Sequence, residues 1–208
     1  MVQIQGPDEL AIVAGEVKGC PLCELSRTRT HAVPGEGNPD AQVLLIGEGP
    51  GWHEDEQGKP FVGASGKFLS ELLAKAGLTR EDVFITNVVK CRPPSNRDPL
   101  PDEIQACSQY LERQVAAIDP DVIITLGRFS MAKYFPGERI SRIHGQPKRI
   151  GQRLVVPMYH PAAALHQSNL RGVIEDDFAN LPRILADQER HRQVAAEKED
   201  PPAQQSLF

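Results

Sequence analysis

Four short apolar runs stand out along the chain, and none of them shows the alternation of a strand with one solvent-exposed face. They cover residues 42–46, 83–89, 122–126 and 154–158. Continuous apolar runs of this length are typical of parallel strands that are covered on both faces. The pattern therefore predicts four buried strands in one mostly parallel sheet.

Segments with helical character lie between these runs. Residues 65–76 place apolar side chains on one helical face, and Gly77 follows as a stop signal. Residues 101–118 begin with proline and two acids and end before Asp119-Pro120, which also predicts a helix. A shorter helix over 128–135 and a basic hairpin around Gly145 and Gly151 complete the pattern. Alternating strands and helices predict an α/β fold of three αβα layers, with a central, mostly parallel four-stranded sheet.

Composition sets the domain organisation. The chain has 208 residues, which is enough for one domain with a proper core. Beyond about residue 185 it becomes charged and nearly free of apolar side chains, so we predict a domain over 1–186 and a charged flexible tail over 187–208. No apolar run has the roughly 20 residues that a membrane span requires, and the first residues do not resemble a signal peptide. We expect a cytoplasmic monomer with no membrane contact.

The net charge of −5 does not by itself point to a nucleic-acid partner. Charge is unevenly distributed, however, because residues 139–153 contain five basic side chains and no acid. A local basic segment of this kind is compatible with DNA binding in an acidic protein.

Polar residues follow the predicted strands at the ends where ligands bind in open α/β sheets. Glu48 and Gly49 follow the first strand, Asn87 lies near the end of the second, and His160 follows the last. Any one of them is more often a turn or core residue, but their occurrence on separate strands favours a common site. The neighbouring glycine-rich segments match neither the dinucleotide nor the P-loop pattern, since Trp52 replaces the third glycine of the first and Phe68 follows the lysine of the second.

The four cysteines form the second candidate site. Cys20 and Cys23 have the C-x2-C spacing that presents two thiolates to one metal, while Cys91 and Cys107 are 15 residues apart. Four soft ligands suit either zinc or a four-iron cluster, and the spacing does not choose between them. Four unrelated buried cysteines are the remaining interpretation.

These motifs, in this order, resemble the family 4 uracil-DNA glycosylases, which contain an iron-sulfur cluster. The resemblance covers roughly residues 20–185 and rests on CPLCELSRTRT, GEGNPDA, GEGPGWHEDEQGKPFVGASG, ITNVVKCRPPSNRDPLPDE and MYHPAA. It implies the fold of the uracil-DNA glycosylase superfamily, hydrolysis of uracil from DNA in base excision repair, and a structural [4Fe-4S] cluster on the four cysteines.

The resemblance also implies roles for individual residues. Phe61 would stack on the extruded uracil beside Gly49, Asn87 would read the O4 and N3–H edge, and His160 would donate to O2 as negative charge gathers there. Glu48 would stabilise the developing cation on the sugar or orient the attacking water, with Asp55 as the second candidate.

DNA contacts are expected from the basic hairpin and from the segment after His160. The predicted contact residues are Ser65, Arg142, Lys148, Arg149 and Arg171, the last within a segment, 165–171, that corresponds to the family's wedge loop. Two departures affect the transfer: Trp52 stands where relatives often carry an acid, and Arg142-Ile143-His144 resembles a motif of the superfamily branch that crosslinks to uracil in DNA. We interpret His144 as a DNA-contact or structural residue.

The last five residues resemble the short peptides by which bacterial repair proteins bind the sliding clamp. Gln204, Leu207 and Phe208 would make that contact. Two further functions stay open from the sequence: a uracil-DNA binding or crosslinking protein of the same superfamily with little turnover, and a metal-stabilised protein of nucleotide metabolism.

Overall fold

The computed structural model describes residues 6–199, with the side chains of 6–194. The ten helices found in this part of the chain are α1 Pro7–Gly19, α2 Leu25–Thr28, α3 Trp52–Gln57, α4 Ala64–Lys75, α5 Pro101–Ile118, α6 Arg128–Ala132, α7 Ile140–Ile143, α8 Ala163–His166, α9 Asn169–Ala179 and α10 Leu181–Glu199. The strands in the same part are β1 Glu36–Gly37, β2 Val43–Gly47, β3 Val83–Asn87, β4 Val122–Leu126, β5 Lys148–Ile150 and β6 Arg153–Met158.

The strands form one six-stranded sheet in the order β1-β3-β2-β4-β6-β5. The central strands β3, β2, β4 and β6 are parallel, as the apolar runs predict. The two edge strands are antiparallel additions: β1 pairs with β3, and β5 forms the predicted hairpin with β6. Because the central strands run in the same direction, their carboxyl ends lie at the same end of the sheet. The last residues of these strands are Gly47, Asn87, Leu126 and Met158.

Helices cover both faces of the sheet, so the three-layer prediction is confirmed. One layer, mainly α1, α5 and α6, packs on the face that carries Leu44, Ile123 and Val155. The other layer, mainly α4, α9 and α10, packs on the face that carries Leu45 and Ile124. Successive strand residues thus alternate between two separate apolar cores.

Helix ends follow local chemistry. The amide of Leu100 donates to the carboxylate of Glu103 at 2.8 Å and thereby satisfies a free donor at the start of α5. Asp119 adopts a left-handed conformation at the end of that helix. The predicted bounds of α5 are confirmed, whereas α4 begins one residue earlier than predicted, at Ala64, and α6 ends at Ala132.

The C-terminal part is helical through the predicted domain boundary at residue 187. Helix α10 continues to Glu199, and Gln188 within it is buried and accepts a hydrogen bond from Arg149. The division at 186 stays a prediction, and the clamp-binding residues Gln204, Leu207 and Phe208 lie outside the described part of the chain. Within residues 6–199, no helix combines the length and the apolar character needed to cross a membrane.

Candidate active site

A cleft opens at the edge of the sheet where the parallel strands end. Six residues that were predicted for the site line it together, and they come from four separate segments: Glu48, Gly49, Phe61, Ser65, Asn87 and His160. The fold therefore brings together side chains that are up to 112 positions apart in the sequence.

Asn87 offers an unused acceptor in this cleft. Its side chain is buried, and its Oδ1 has no hydrogen-bond partner. Gly47 is its partner in the β2–β3 register, and a Cβ atom on Gly47 would lie 2.3 Å from Oδ1. Because a buried acceptor without a partner is costly, this oxygen is suited to receive a donor from a bound ligand.

Phe61 forms an aromatic wall next to Asn87. It has a positive φ of 52°, a strained conformation for a residue with a side chain, and its ring packs against the position of the missing Gly47 Cβ at 2.8 Å. The guanidinium of Arg80 holds this loop by donating to the carbonyl oxygens of Pro60 and Phe61 at 2.8 and 3.1 Å. The tight approach of Gly66, whose Cβ would meet the Phe61 carbonyl oxygen at 1.8 Å, completes the support.

His160 stacks on Phe61 with a ring-centroid distance of 5.4 Å. Its Nδ1 accepts a hydrogen bond from the backbone amide of Ala162 at 3.1 Å, so the proton of the neutral ring resides on Nε2. Burial lowers the pKa of His160 to about 4, although the charge of Glu54 opposes the shift. The ring is therefore a neutral imidazole with one N–H donor available.

Glu48 is the partly buried carboxylate of the cleft. Burial raises its pKa above the ordinary value, the negative charge of Asp98 adds to this, and the positive charge of Arg128 opposes it. A carboxylate with weakened solvation interacts strongly with nearby positive charge.

The adjacent acids of α3 have other tasks. Glu54 accepts hydrogen bonds from the amides of Gly51, Val62 and Gly63 at 2.9–3.1 Å, so it joins the two loops that border the cleft. Asp55 is buried and its Oδ1 accepts from the amide of Thr30 at 2.9 Å. Asp55 is not among the residues that line the cleft, and its role as the second catalytic candidate stays a prediction.

The four cysteines line a second cavity, behind the cleft, between the N-terminal segment, the loop after β3 and α5. All four contribute to its walls: Cys20, Cys23, Cys91 and Cys107. Arg29 donates to the Cys91 sulfur at 3.0 Å, and the backbone amide of Lys90 donates to the Cys107 sulfur at 3.3 Å. Burial raises the pKa of Cys107 to about 11, an effect that the charge of Lys90 opposes.

The cavity presents four thiols to one common space. In the described region, no three His, Cys, Asp or Glu residues are close enough together to hold one metal ion. Four thiols around a common space, with N–H donors directed at two of the sulfurs, match the ligand set of an iron-sulfur cluster.

The predicted DNA-contact residues are dispersed. Arg149 pairs with Leu154, and Leu154 pairs with Val122 at the start of β4. Arg149 therefore lies level with the amino-terminal ends of the parallel strands, whereas the cleft lies at their carboxyl ends. Four residues along a strand, or about 13 Å, separate these two ends of the sheet. Arg149 is also bound to Gln188, and Lys148 lies one residue closer to the middle of the strand, so the structure does not place the hairpin tip beside the cleft.

The remaining contact candidates lie nearer. Arg142 is exposed on α7, which leads into Gly145, whose amide donates to the carbonyl of Pro157 near the carboxyl end of β6. Arg171 is engaged by Glu175 and Glu71 and stacks on Phe68 at 4.5 Å.

Trp52 and His144, the positions of the two departures from the family pattern, have different surroundings. His144 shares a 2.8 Å hydrogen bond with Asp177 and packs on Tyr159, which supports the structural interpretation of His144. Trp52 is 52% exposed at the start of α3 and makes an edge contact with His53.

Several positions at the two candidate sites were missed by sequence reasoning. Arg97 and His166 also line the cleft, and Arg97 forms a two-contact ion pair with Glu103. In the sequence, the available signal for Arg97 was the dense polar segment after Cys91. Lys90 is completely buried, and burial lowers its pKa to about 8, while the charge of Cys107 raises it. Only its position beside Cys91 singled it out.

Comparison with known proteins identifies relatives along most of the chain. The profile of the uracil DNA glycosylase superfamily matches residues 34–180. The chain is 49% identical to the type-4 uracil-DNA glycosylase of Saccharolobus solfataricus, over 86% of this chain and 88% of that protein. It is 46% identical to those of Sulfurisphaera tokodaii and Archaeoglobus fulgidus, which it covers to 88% and 94% of their lengths.

Proposed function

The chain belongs to the uracil-DNA glycosylase superfamily and to its type-4 family, and from this membership we propose that it is a DNA repair enzyme that hydrolyses the N-glycosidic bond of uracil in DNA. The products are free uracil and an abasic site. The observation that carries the proposal is the buried Asn87 Oδ1, an acceptor without a partner in a cleft that also presents the N–H of His160.

Substrate selection follows from Asn87. The uracil is rotated out of the DNA stack into the cleft, where Phe61 provides a stacking surface. Asn87 Oδ1 accepts the N3–H of uracil, and Nδ2 donates to O4. Cytosine has the opposite donor and acceptor at these positions and would leave buried polar groups unpaired, so it is rejected.

Bond cleavage places negative charge on the uracil ring and positive charge on the sugar. The Nε2–H of His160 donates to O2, where the negative charge gathers, and a neutral imidazole suits this role because it needs no proton transfer to act as a donor. Glu48 stabilises the positive sugar or orients the attacking water. These tasks require a carboxylate, an amide and an imidazole at one sheet edge.

Cys20, Cys23, Cys91 and Cys107 would hold a [4Fe-4S] cluster. When bound, the cluster supplies a covalent connection between the N-terminal segment, the loop after β3 and α5, with no part in bond cleavage. Cys91 is four residues from Asn87, so this connection would also fix the loop next to the cleft.

The proposal is tested by the release of free uracil from a uracil-containing oligonucleotide. We expect multiple turnover by the cluster-loaded protein and losses of roughly 10²–10³-fold for His160→Ala and Asn87→Ala. Gly15→Ala, in α1 with no atom within 4 Å of the added carbon, is the control and should retain full activity. Stoichiometric binding without turnover would instead show a binding protein, and a denaturant-resistant adduct would show a crosslinking one.

The C-terminal peptide supports a partner proposal from sequence alone. Gln204, Leu207 and Phe208 would bind the apolar pocket of a bacterial sliding clamp. Deleting residues 204–208 should abolish binding to the clamp while leaving uracil release unchanged. Equal clamp binding by the deleted and complete chains would contradict the proposal.

A further inference from the structure

A buried lysine lies directly behind the base-reading asparagine. Lys90 is 1% exposed, and it is the one buried lysine or arginine among the residues whose burial is described. Its Nζ donates to three oxygens, those of the Thr86 hydroxyl at 2.6 Å, the Gln114 side chain at 2.6 Å and the Asn87 backbone carbonyl at 2.8 Å. An ammonium has three donors, so each one is used.

The acceptors of Lys90 are themselves fixed. Both the Thr86 hydroxyl and the Gln114 side-chain nitrogen donate to the carbonyl oxygen of Pro34, at 3.0 and 2.7 Å. The network therefore joins β3, α5 and the segment before β1 around one cation. A fully satisfied buried polar network of this kind holds its members in a single arrangement.

The backbone of Lys90 is held on the other side by the four-cysteine site. Its amide donates to the Cys107 sulfur, and the next residue is Cys91. The same residue thus contacts a cluster ligand with its main chain and the Asn87 carbonyl with its side chain. An apolar residue would cost less free energy to bury at this position than a lysine does. The charge of Lys90 therefore points to a specific role.

We propose that Lys90 is a positioning residue for Asn87: its ammonium fixes the peptide of Asn87 so that the unpaired Oδ1 faces the uracil edge. This inference rests on the proposed function and adds a residue that does not touch the substrate. Asn87 has little freedom on its other side, where Gly47 lies in contact with the side chain. Lys90 therefore determines the remaining orientation, that of the backbone from which the amide extends.

A double-mutant cycle on single-turnover uracil release tests the proposal with the cluster-loaded protein. Lys90→Met keeps an unbranched side chain that is one heavy atom shorter, and it removes the cation. We expect it to lower the rate by about tenfold in the natural chain and by less than about twofold in the Asn87→Ala background, because Lys90 acts through Asn87. Visible absorbance of the cluster and binding of free uracil are measured alongside, and uracil affinity should fall while absorbance is retained.

Thr86→Val serves as a milder variant, because it removes one acceptor of the ammonium and leaves Lys90 in place. Should Lys90→Met fail to fold, this variant carries the same cycle with a smaller expected loss. Ile123→Val, in β4 and with no hydrogen bond to the network, is the matched core control and should change neither uracil affinity nor the rate.

The outcomes separate the two proposals. Equal losses from Lys90→Met in both backgrounds, or an unchanged rate and uracil affinity, would overturn the positioning role while the release of uracil by the natural chain still supports the function. No release of uracil by the natural chain would overturn the proposed function and this inference with it.

Discussion

Gly47 and Asn87 lie side by side at the carboxyl ends of β2 and β3, so close that a Cβ on Gly47 would reach within 2.3 Å of the Asn87 Oδ1 and within 2.8 Å of the Phe61 ring. The glycine is required by space and not by backbone conformation, since its φ is not positive. One missing side chain therefore allows the base-reading amide and the stacking ring to approach each other.

Gly47→Ala is expected to lower kcat/KM for uracil release by at least about 10²-fold, because displacing the reading group by about 1 Å costs this much. The protein should remain folded, as circular dichroism would show. The control is Gly15→Ala, whose added methyl group lies in open space. Full activity of Gly47→Ala would contradict the role of this contact.

We expect Glu48 to set the acid side of the pH profile of uracil release. Because the active form is ionised and burial raises the pKa of Glu48, activity should begin to fall at a higher pH than an ordinary glutamate would cause. Glu48→Gln should lower kcat/KM by about 10²-fold or more and remove this acid limb. A variant that keeps the limb would assign it to another group.

His160 should make folding sensitive to acid. Its folded-state pKa of about 4 is below the ordinary value of roughly 6.5, so the unfolded chain binds a proton that the folded chain excludes. The contribution to stability is present above about pH 6.5 and is lost as pH falls toward 4. Urea unfolding near pH 7.5 and near pH 5 should show that His160→Gln loses less stability on acidification, by on the order of 1 kcal/mol. Equal losses would contradict the buried neutral ring.

Cys107→Ser should remove the visible absorbance of a cluster and lower the free energy of unfolding by at least about 3 kcal/mol, since binding of the group contributes to folding. In a chain of this size such a loss corresponds to a fall of about 10 °C in Tm. Ser108→Ala, a partly exposed neighbour on α5, is the control and should change neither the absorbance nor the free energy of unfolding. Retained absorbance would exclude Cys107 as a ligand.

Arg149→Ala should leave the salt dependence of DNA binding unchanged, because Arg149 lies at the edge opposite the cleft and is bound to Gln188. Arg142→Ala should reduce the slope of log K against log salt concentration by about one, as expected for the loss of one phosphate contact. The reverse result would place DNA on the hairpin tip.

The parallel core of the fold could be predicted because a strand that is buried on both faces is apolar at consecutive positions. Leu44 and Leu45, for example, belong to opposite cores. Edge strand β1 could not be predicted, since Glu36 and Gly37 carry no apolar signal. Its short pairing with β3 depends on tertiary contacts alone.

The composition of the cleft could be predicted where a polar residue directly follows a strand, as with Glu48, Asn87 and His160. The roles of Glu54 and Asp55 could not, because consecutive helical residues point about 100° apart and the sequence does not give the rotation of α3 about its axis. The position of the hairpin tip relative to the cleft could not be predicted either, because the basic character of the hairpin is visible in the sequence but the end of the sheet at which its tip lies is not.

The strained loop at Phe61 has a consequence for the order of assembly during folding. Its left-handed backbone is held by Arg80, which belongs to the segment leading into β3, and by the close approach of Gly66 at the start of α4. Before β2 and β3 pair, Arg80 is not held in place to offset the roughly 1–3 kcal/mol cost of that conformation. We therefore expect the aromatic wall to become fixed only after the centre of the sheet has assembled, so that a newly made chain acquires secondary structure before it acquires its cleft.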